Sequence, residues 1–153
     1  MIKLLDIHKV FGDLELITYD GRKIPLKYEE MKKFDLDLEF GQMGEKFVED
    51  LQNGNTKIEV KTERDIWKTT GNIAVEIRYK GKPSGISTTG SSVWIHLLCY
   101  KGKIEGGYIF SVDYLKQKII DLKEKGKLKL VMGGDFNASQ MALIPRTELF
   151  DYQ

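Results

Sequence analysis

The sequence predicts an α/β protein. Strand-length apolar runs recur along the chain, two segments carry apolar residues at helical spacing, and Gly, Asn and Pro punctuate the intervals. A length of 153 residues suits one domain with a single core. It reads as a β-rich extension over 1–34, a central core over 35–98, and a helix with further strands over 99–153. The formal net charge is only +1, so affinity for a polyanion has to come from a local patch. The single cysteine, Cys99, excludes an internal disulfide and a cysteine-based zinc site. Its place in an apolar run reads as a buried, inert thiol. No stretch approaches the ~20 apolar residues of a membrane span, and the first residues lack a signal-peptide pattern. The expected setting is a reducing cytoplasm, with no membrane partner.

In chain order, residues 14–19 have strand character, Asp20-Gly21 signals a hairpin, and residues 28–33 read as a helical turn. Residues 35–40 alternate, with Asp35, Asp37 and Glu39 opposite Leu36, Leu38 and Phe40, the pattern of an edge strand. The period then changes. Met43, Phe47, Val48 and Leu51 form one stripe of a helix over 42–53, stopped by Asn53-Gly54. A rival reading makes 47–59 a hairpin about the same Asn-Gly pair. A short strand over 58–63 and a charged connection over 63–70 follow. Residues 72–79 form another strand, with Ile73, Val75, Ile77 and Tyr79 on one face and Ala74, Glu76 and Arg78 on the other. Residues 80–89 are the most loop-like. Residues 93–100 form a buried strand in which His96 reads as a hydrogen-bonded core residue, and 101–103 form a turn. After a strand at 108–110, Ser111 caps a helix running to about Lys125, stopped by Gly126. Its core stripe is Val112, Leu115, Ile119 and Leu122, and its polar face Lys116, Lys118, Lys123 and Lys125. Strands at 128–132 and 142–145, with a turn at 133–135, complete the pattern.

The chemistry concentrates in Ile58-Glu59-Val60-Lys61-Thr62-Glu63. Alternation puts Glu59, Lys61 and Glu63 on one face and Ile58, Val60 and Thr62 on the other. An acid and a base two residues apart lie about 7 Å apart along a strand. Such a carboxylate can hold a divalent metal while the ammonium steadies an anion beside it. The expectation is a metal-dependent phosphodiesterase site acting on DNA. The same residues on a half-exposed strand also make an ordinary ion pair. If the strand over 72–79 lies beside this one, Glu76 reaches the same site; otherwise it pairs with Arg78 or Lys61. The hairpin reading places Asp50 across from Lys57, on the face of Glu59, as a metal ligand. Asp35 or Asp37 is the alternative. In the loop, Lys80, Lys82, Ser87 and Thr88 offer donors to DNA phosphates.

The succession Gly44-Glu45-Lys46-Phe47-Val48, then residues 58–63, then Thr70-Gly71-Asn72-Ile73-Ala74-Val75-Glu76 resembles the PD-(D/E)XK nuclease superfamily. That superfamily includes Holliday junction resolvases and many restriction enzymes. Gly81-Lys82-Pro83-Ser84-Gly85-Ile86, Thr88-Thr89 and Trp94-Ile95-His96 add a similarity to small nuclease-like proteins of phage genomes. The resemblance covers about 35–98 and implies a central mixed β-sheet flanked by helices, restriction-endonuclease-like, with a metal site at its edge. It implies Mg²⁺ or Mn²⁺ bound by Glu59, Lys61 orienting or helping to deprotonate the attacking water, and Glu45 as the carboxylate from the first core helix. The implied activity is endonucleolytic cleavage of DNA, structure-selective in the manner of a resolvase, with a homodimer expected if two strands of a junction are cut. The rival is a catalytically inactive DNA-binding or assembly protein on the same fold. The superfamily also places an aspartate on a strand between the helix and the acid-x-Lys strand. Here Asp50 fills that slot only in the hairpin reading, and Asp35 or Asp37 only if the strand precedes the helix.

Overall fold

The structure, a computed structural model, describes residues 15–17, 22–25 and 38–150. It is an α/β protein with mixed and antiparallel sheets, and the chain divides into two compact units, Met1–Phe47 and Val48–Gln153. In the first unit β1 (Glu15–Ile17) pairs antiparallel with β2 (Lys23–Pro25), the hairpin that Asp20-Gly21 signals. The helical turn read over 28–33, together with Asp35 and Asp37, lies outside the described residues.

Helix α1 (Leu38–Gln52) begins at Leu38 rather than Gln42, so Leu38 and Phe40 lie in its first turn and not on an edge strand. The hairpin over 47–59 does not form. Residues 42–52 are rich in Gln, Met, Glu, Lys and Leu, strong helix formers. Gly54 takes φ 70° just past the helix end, a conformation open to glycine.

The second unit contains β3 (Ile58–Arg64), α2 (Ile66–Thr70), β4 (Asn72–Tyr79), β5 (Lys82–Pro83), β6 (Val93–Tyr100), β7 (Lys103–Ser111), α3 (Val112–Glu124), β8 (Lys129–Gly133) and β9 (Ser139–Pro145). β3 runs parallel to β6, and β6 antiparallel to β7, which makes a three-stranded mixed sheet. The other sheet is antiparallel, in the order β5-β4-β9-β8. β4 therefore pairs with β9 and not with β3. The register explains the choice: Ile73 lies opposite Ile144 and Val75 opposite Ala142, all four fully buried. A slip of one residue turns that set to the other face.

Ile73, Val75 and Ile144 pack with Trp94, Leu98 and Phe110 of the mixed sheet and with Leu115 and Leu122 of α3. α3 forms as its sequence signals. Ser111 Oγ accepts the Tyr114 N–H at 3.1 Å, and Gly126 takes φ 67° at its end. Lys118 departs from its reading as a polar-face residue. It is buried beside the Tyr114 ring, between Leu115 and Leu122 on the core stripe, where a long aliphatic stem can pack. The charged connection over 63–70 contains α2, whose Trp67 is buried and donates its Nε1–H to the Cys99 carbonyl at 2.7 Å. Cys99 is a free thiol and only half-buried. Among the described residues no helix is long and apolar enough to cross a membrane.

Candidate active site

On β3 the charged face is the sheltered one. Val60 is 53% exposed, and Thr62 and Arg64 are exposed, whereas Glu59, Lys61 and Glu63 are half-buried. The shared face of the three charges was legible from alternation, and it turns inward. Lys61 Nζ lies 2.6 Å from Glu59 Oε1 and 5.8 Å from the Trp94 ring centroid. Thr89 Oγ1 donates to Glu59 Oε2 at 3.4 Å.

Next to this pair a cavity of about 200 Å³ is lined by Lys61, Glu63, Glu76 and His96, with Thr62, Ala74 and Met141. Parallel pairing aligns Lys61 with His96, so β6 delivers the imidazole to the same place. Trp94 Nε1 donates to His96 Nδ1 at 3.3 Å. An indole N–H has no lone pair to offer in return. His96 Nδ1 is thus the acceptor, and Nε2 carries the hydrogen that it donates to Glu63 Oε2 at 3.0 Å. His96 is 1% exposed, a core histidine held in one tautomer. Glu63 Oε2 also accepts the Ala74 N–H at 2.8 Å, a side-chain link between β3 and β4. Among the described residues, the second oxygen, Oε1, has no hydrogen-bond partner.

Glu63→Ala orphans the His96 and Ala74 donors together and is expected to cost about 2–4 kcal/mol, at roughly 1–3 kcal/mol per unpaired buried donor allowing for partial hydration. Glu63→Gln keeps a carbonyl acceptor and is expected to cost less than half as much. Urea unfolding of the two variants provides the check.

Glu76 reaches the cavity from β4 although β4 and β3 share no backbone ladder. A β-bulge follows it: Glu76 faces Met141 and Arg78 faces Gln140, which leaves Ile77 without a partner in the register. The freed Ile77 carbonyl accepts the Ser84 N–H at 3.1 Å and the Ser87 hydroxyl at 2.8 Å. Glu76 itself accepts Ser84 Oγ–H at 2.7 Å and Ser139 Oγ–H at 2.6 Å, one on each oxygen. Its partners are hydroxyls, not Arg78 or Lys61.

Glu45, in the first unit, is exposed on α1, as is every helix residue over 41–49, the apolar Met43, Phe47 and Val48 included. Asp50 belongs to the last helical turns and not to a hairpin strand across from Lys57. Lys80, Lys82, Ser87 and Thr88 are all exposed, in keeping with a surface loop. The hydroxyls that actually meet carboxylates are Ser84 and Thr89 in that loop and Ser139 on β9. Of the residues not singled out, Glu63 could have been found from the shared face of β3. Ser139 has no local signal, being 63 residues from Glu76.

Glu59, Glu63 and Glu76 stand against Lys61 and a neutral His96. Three acids and one base leave an excess of negative charge that a cation would relieve. Among the described residues, no three His, Cys, Asp or Glu stand close enough together to enclose a metal ion by themselves. No protein-family model matches this chain, and comparisons with curated proteins and with solved structures give no significant match.

Proposed function

We propose that this protein is a metal-dependent DNA endonuclease of the restriction-endonuclease-like, PD-(D/E)XK type, hydrolysing phosphodiester bonds in the cleft beside β3. The observation that carries the reading is the position of Lys61, ion-paired to Glu59 and lining one cavity with Glu63 and Glu76. The donor set suits a hard cation. Mg²⁺ is held by one or two carboxylates and completes its shell with water, so a three-residue cage is not required. Glu63, through its Oε1, and Glu76, which lines the same cavity, are the carboxylates that would hold it, with Glu59 beside them on Lys61. Mg²⁺ or Mn²⁺ bound there would neutralise charge developing on the phosphate oxygens. Lys61 places a cation where an anionic phosphate and its attacking water are to be aligned, and Glu59 fixes the direction of the ammonium. His96 donates to Glu63 and holds the Glu63 carboxylate in register with the strand. Ser84 and Ser139 do the same for Glu76. DNA would be the partner, the cytoplasm the setting (the host's if the protein is viral), and a homodimer the form that would cut two strands.

Plasmid nicking tests this directly. Open circles are expected with Mg²⁺ or Mn²⁺ and none with EDTA; intact supercoils with every metal overturn the proposal. The alternative is a DNA-binding or assembly protein without activity. It is favoured by the spacing of the acids and by the commitment of Lys61 to Glu59 at 2.6 Å. DNA binding that falls steeply with salt, without nicking, selects that alternative.

A further inference from the structure

The turn between β8 and β9 has features that folding alone does not account for. Phe136 is fully exposed, at 101%, and sits at φ 58° and ψ 22°, the left-handed region. For a bulky residue that conformation is an outlier, and Asn137 beside it is also left-handed at φ 53°. The turn is nevertheless fixed. Asn137 N–H donates to the Gly134 carbonyl and Ala138 N–H to the Asp135 carbonyl, both at 3.2 Å. Lys80 N–H donates to the Ala138 carbonyl at 2.8 Å, which ties the tip to the β4–β5 turn. One residue further on, Ser139 is bonded to Glu76. A phenyl ring in water gains nothing from burial, so a glycine or asparagine at 136 would suit the backbone better. Strain of this kind persists where a function needs the side chain presented.

The surroundings indicate what the ring meets. Gly133 and Gly134, at the base of the tip, line an open cleft of about 680 Å³ together with Glu63, Arg64 and Thr70. In the β4–β5 hairpin tied to the tip, exposed Arg78, Lys80 and Lys82 bring three cations. Tyr79 is 43% exposed among them, with Lys80 Nζ 5.3 Å from its ring centroid. Asp135 is an acid of the tip itself. Cations interleaved with exposed aromatic rings near an open cleft match a nucleic-acid strand, whose phosphates and unstacked bases take those two kinds of partner.

We infer that Phe136 is a wedge that stacks on an unpaired or unstacked base of DNA lying in the cleft, so that the protein selects DNA already distorted at the site. The inference rests on the nuclease reading and adds the substrate class. Apolar side chains inserted at base steps are a known way to exploit weak stacking, and their cost is lowest at a mismatch.

Fluorescence anisotropy in EDTA, where no cleavage is read, tests the wedge on a short mismatched duplex and its fully paired counterpart. Phe136→Gly is expected to weaken binding of the mismatched DNA roughly tenfold while changing the paired duplex by less than about twofold. Phe136→Trp is expected to retain the preference. Phe136→Gly is also expected to melt no lower than the native protein, because the glycine relieves the backbone. An unchanged preference, or a lowered melting temperature, overturns the wedge while leaving the nuclease reading standing. If the native protein binds neither duplex, both fall together.

Discussion

Lys61→Ala is expected to lower metal-dependent nicking by about 10²–10⁴-fold, the range associated with losing one positioned proton-handling group. The fold is expected to be indifferent. The Lys61 side chain is 42% exposed, and its pairing with Glu59 is of the half-solvated kind that adds little to stability. A melting temperature within a degree or two of the native value, together with collapsed activity, separates a chemical role from a structural one. Lys61→Arg is a useful companion. The planar guanidinium can keep the contact to Glu59 but is not a compact point charge, so partial activity is expected. DNA binding in EDTA by the alanine variant should stay within about threefold of native, since one lysine contributes a single phosphate contact at most. Full nicking by Lys61→Ala would remove the residue from the mechanism, and with it the reason for reading β3 as the centre of the site.

Much of this arrangement was legible in the residues, and the part that was not has a physical cause. Alternation assigns side chains to faces, so Glu59, Lys61 and Glu63 were grouped correctly from sequence. Alternation does not say which face turns inward. On β3 the usual rule is reversed, with Val60 outside and charge within. Local signals also served well where the whole motif is local. The cap, stripe and stop of α3 lie within one segment and formed as expected. Strand partners are another matter. β4 and β9 are distant in sequence, and the register that joins Ile73 to Ile144 depends on packing that only the folded chain reveals. Glu76 therefore reached the cavity by a route different from the one its position suggested, and its serine partners could not be foreseen. Trp67 was hidden for a similar reason. Its segment looked charged, yet one indole anchors α2 to the β6–β7 turn region through the Cys99 carbonyl.

The largest structural effect is expected at Gly85. Its φ is +56°, a conformation that L side chains rarely adopt, and the space beside it is already taken. A Cβ built there would lie 2.3 Å from the Glu76 carbonyl oxygen and 2.9 Å from the Glu76 Cβ. The obstacle is backbone, which cannot swing aside as the end of a long side chain could. Gly85→Ala is expected to cost about 3 kcal/mol or more, combining left-handed strain with overpacking. For a chain of this size that corresponds to a melting temperature lower by roughly 10 °C. The same displacement acts on the site. Gly85 follows Ser84, whose hydroxyl and N–H hold Glu76 Oε1 and the bulged Ile77 carbonyl. Pushing the loop away loosens one of the two hydroxyls that aim Glu76 into the cavity. Ser84→Ala provides the control, because it removes that hydroxyl without any clash. It is expected to destabilise by only about 1 kcal/mol, the typical net worth of one hydrogen bond. If both variants lose nicking to a similar extent at a temperature where both remain folded, the loop acts through Glu76. If only Gly85→Ala loses activity under those conditions, the hydroxyl is dispensable and the close approach of the two backbones is what positions the acid.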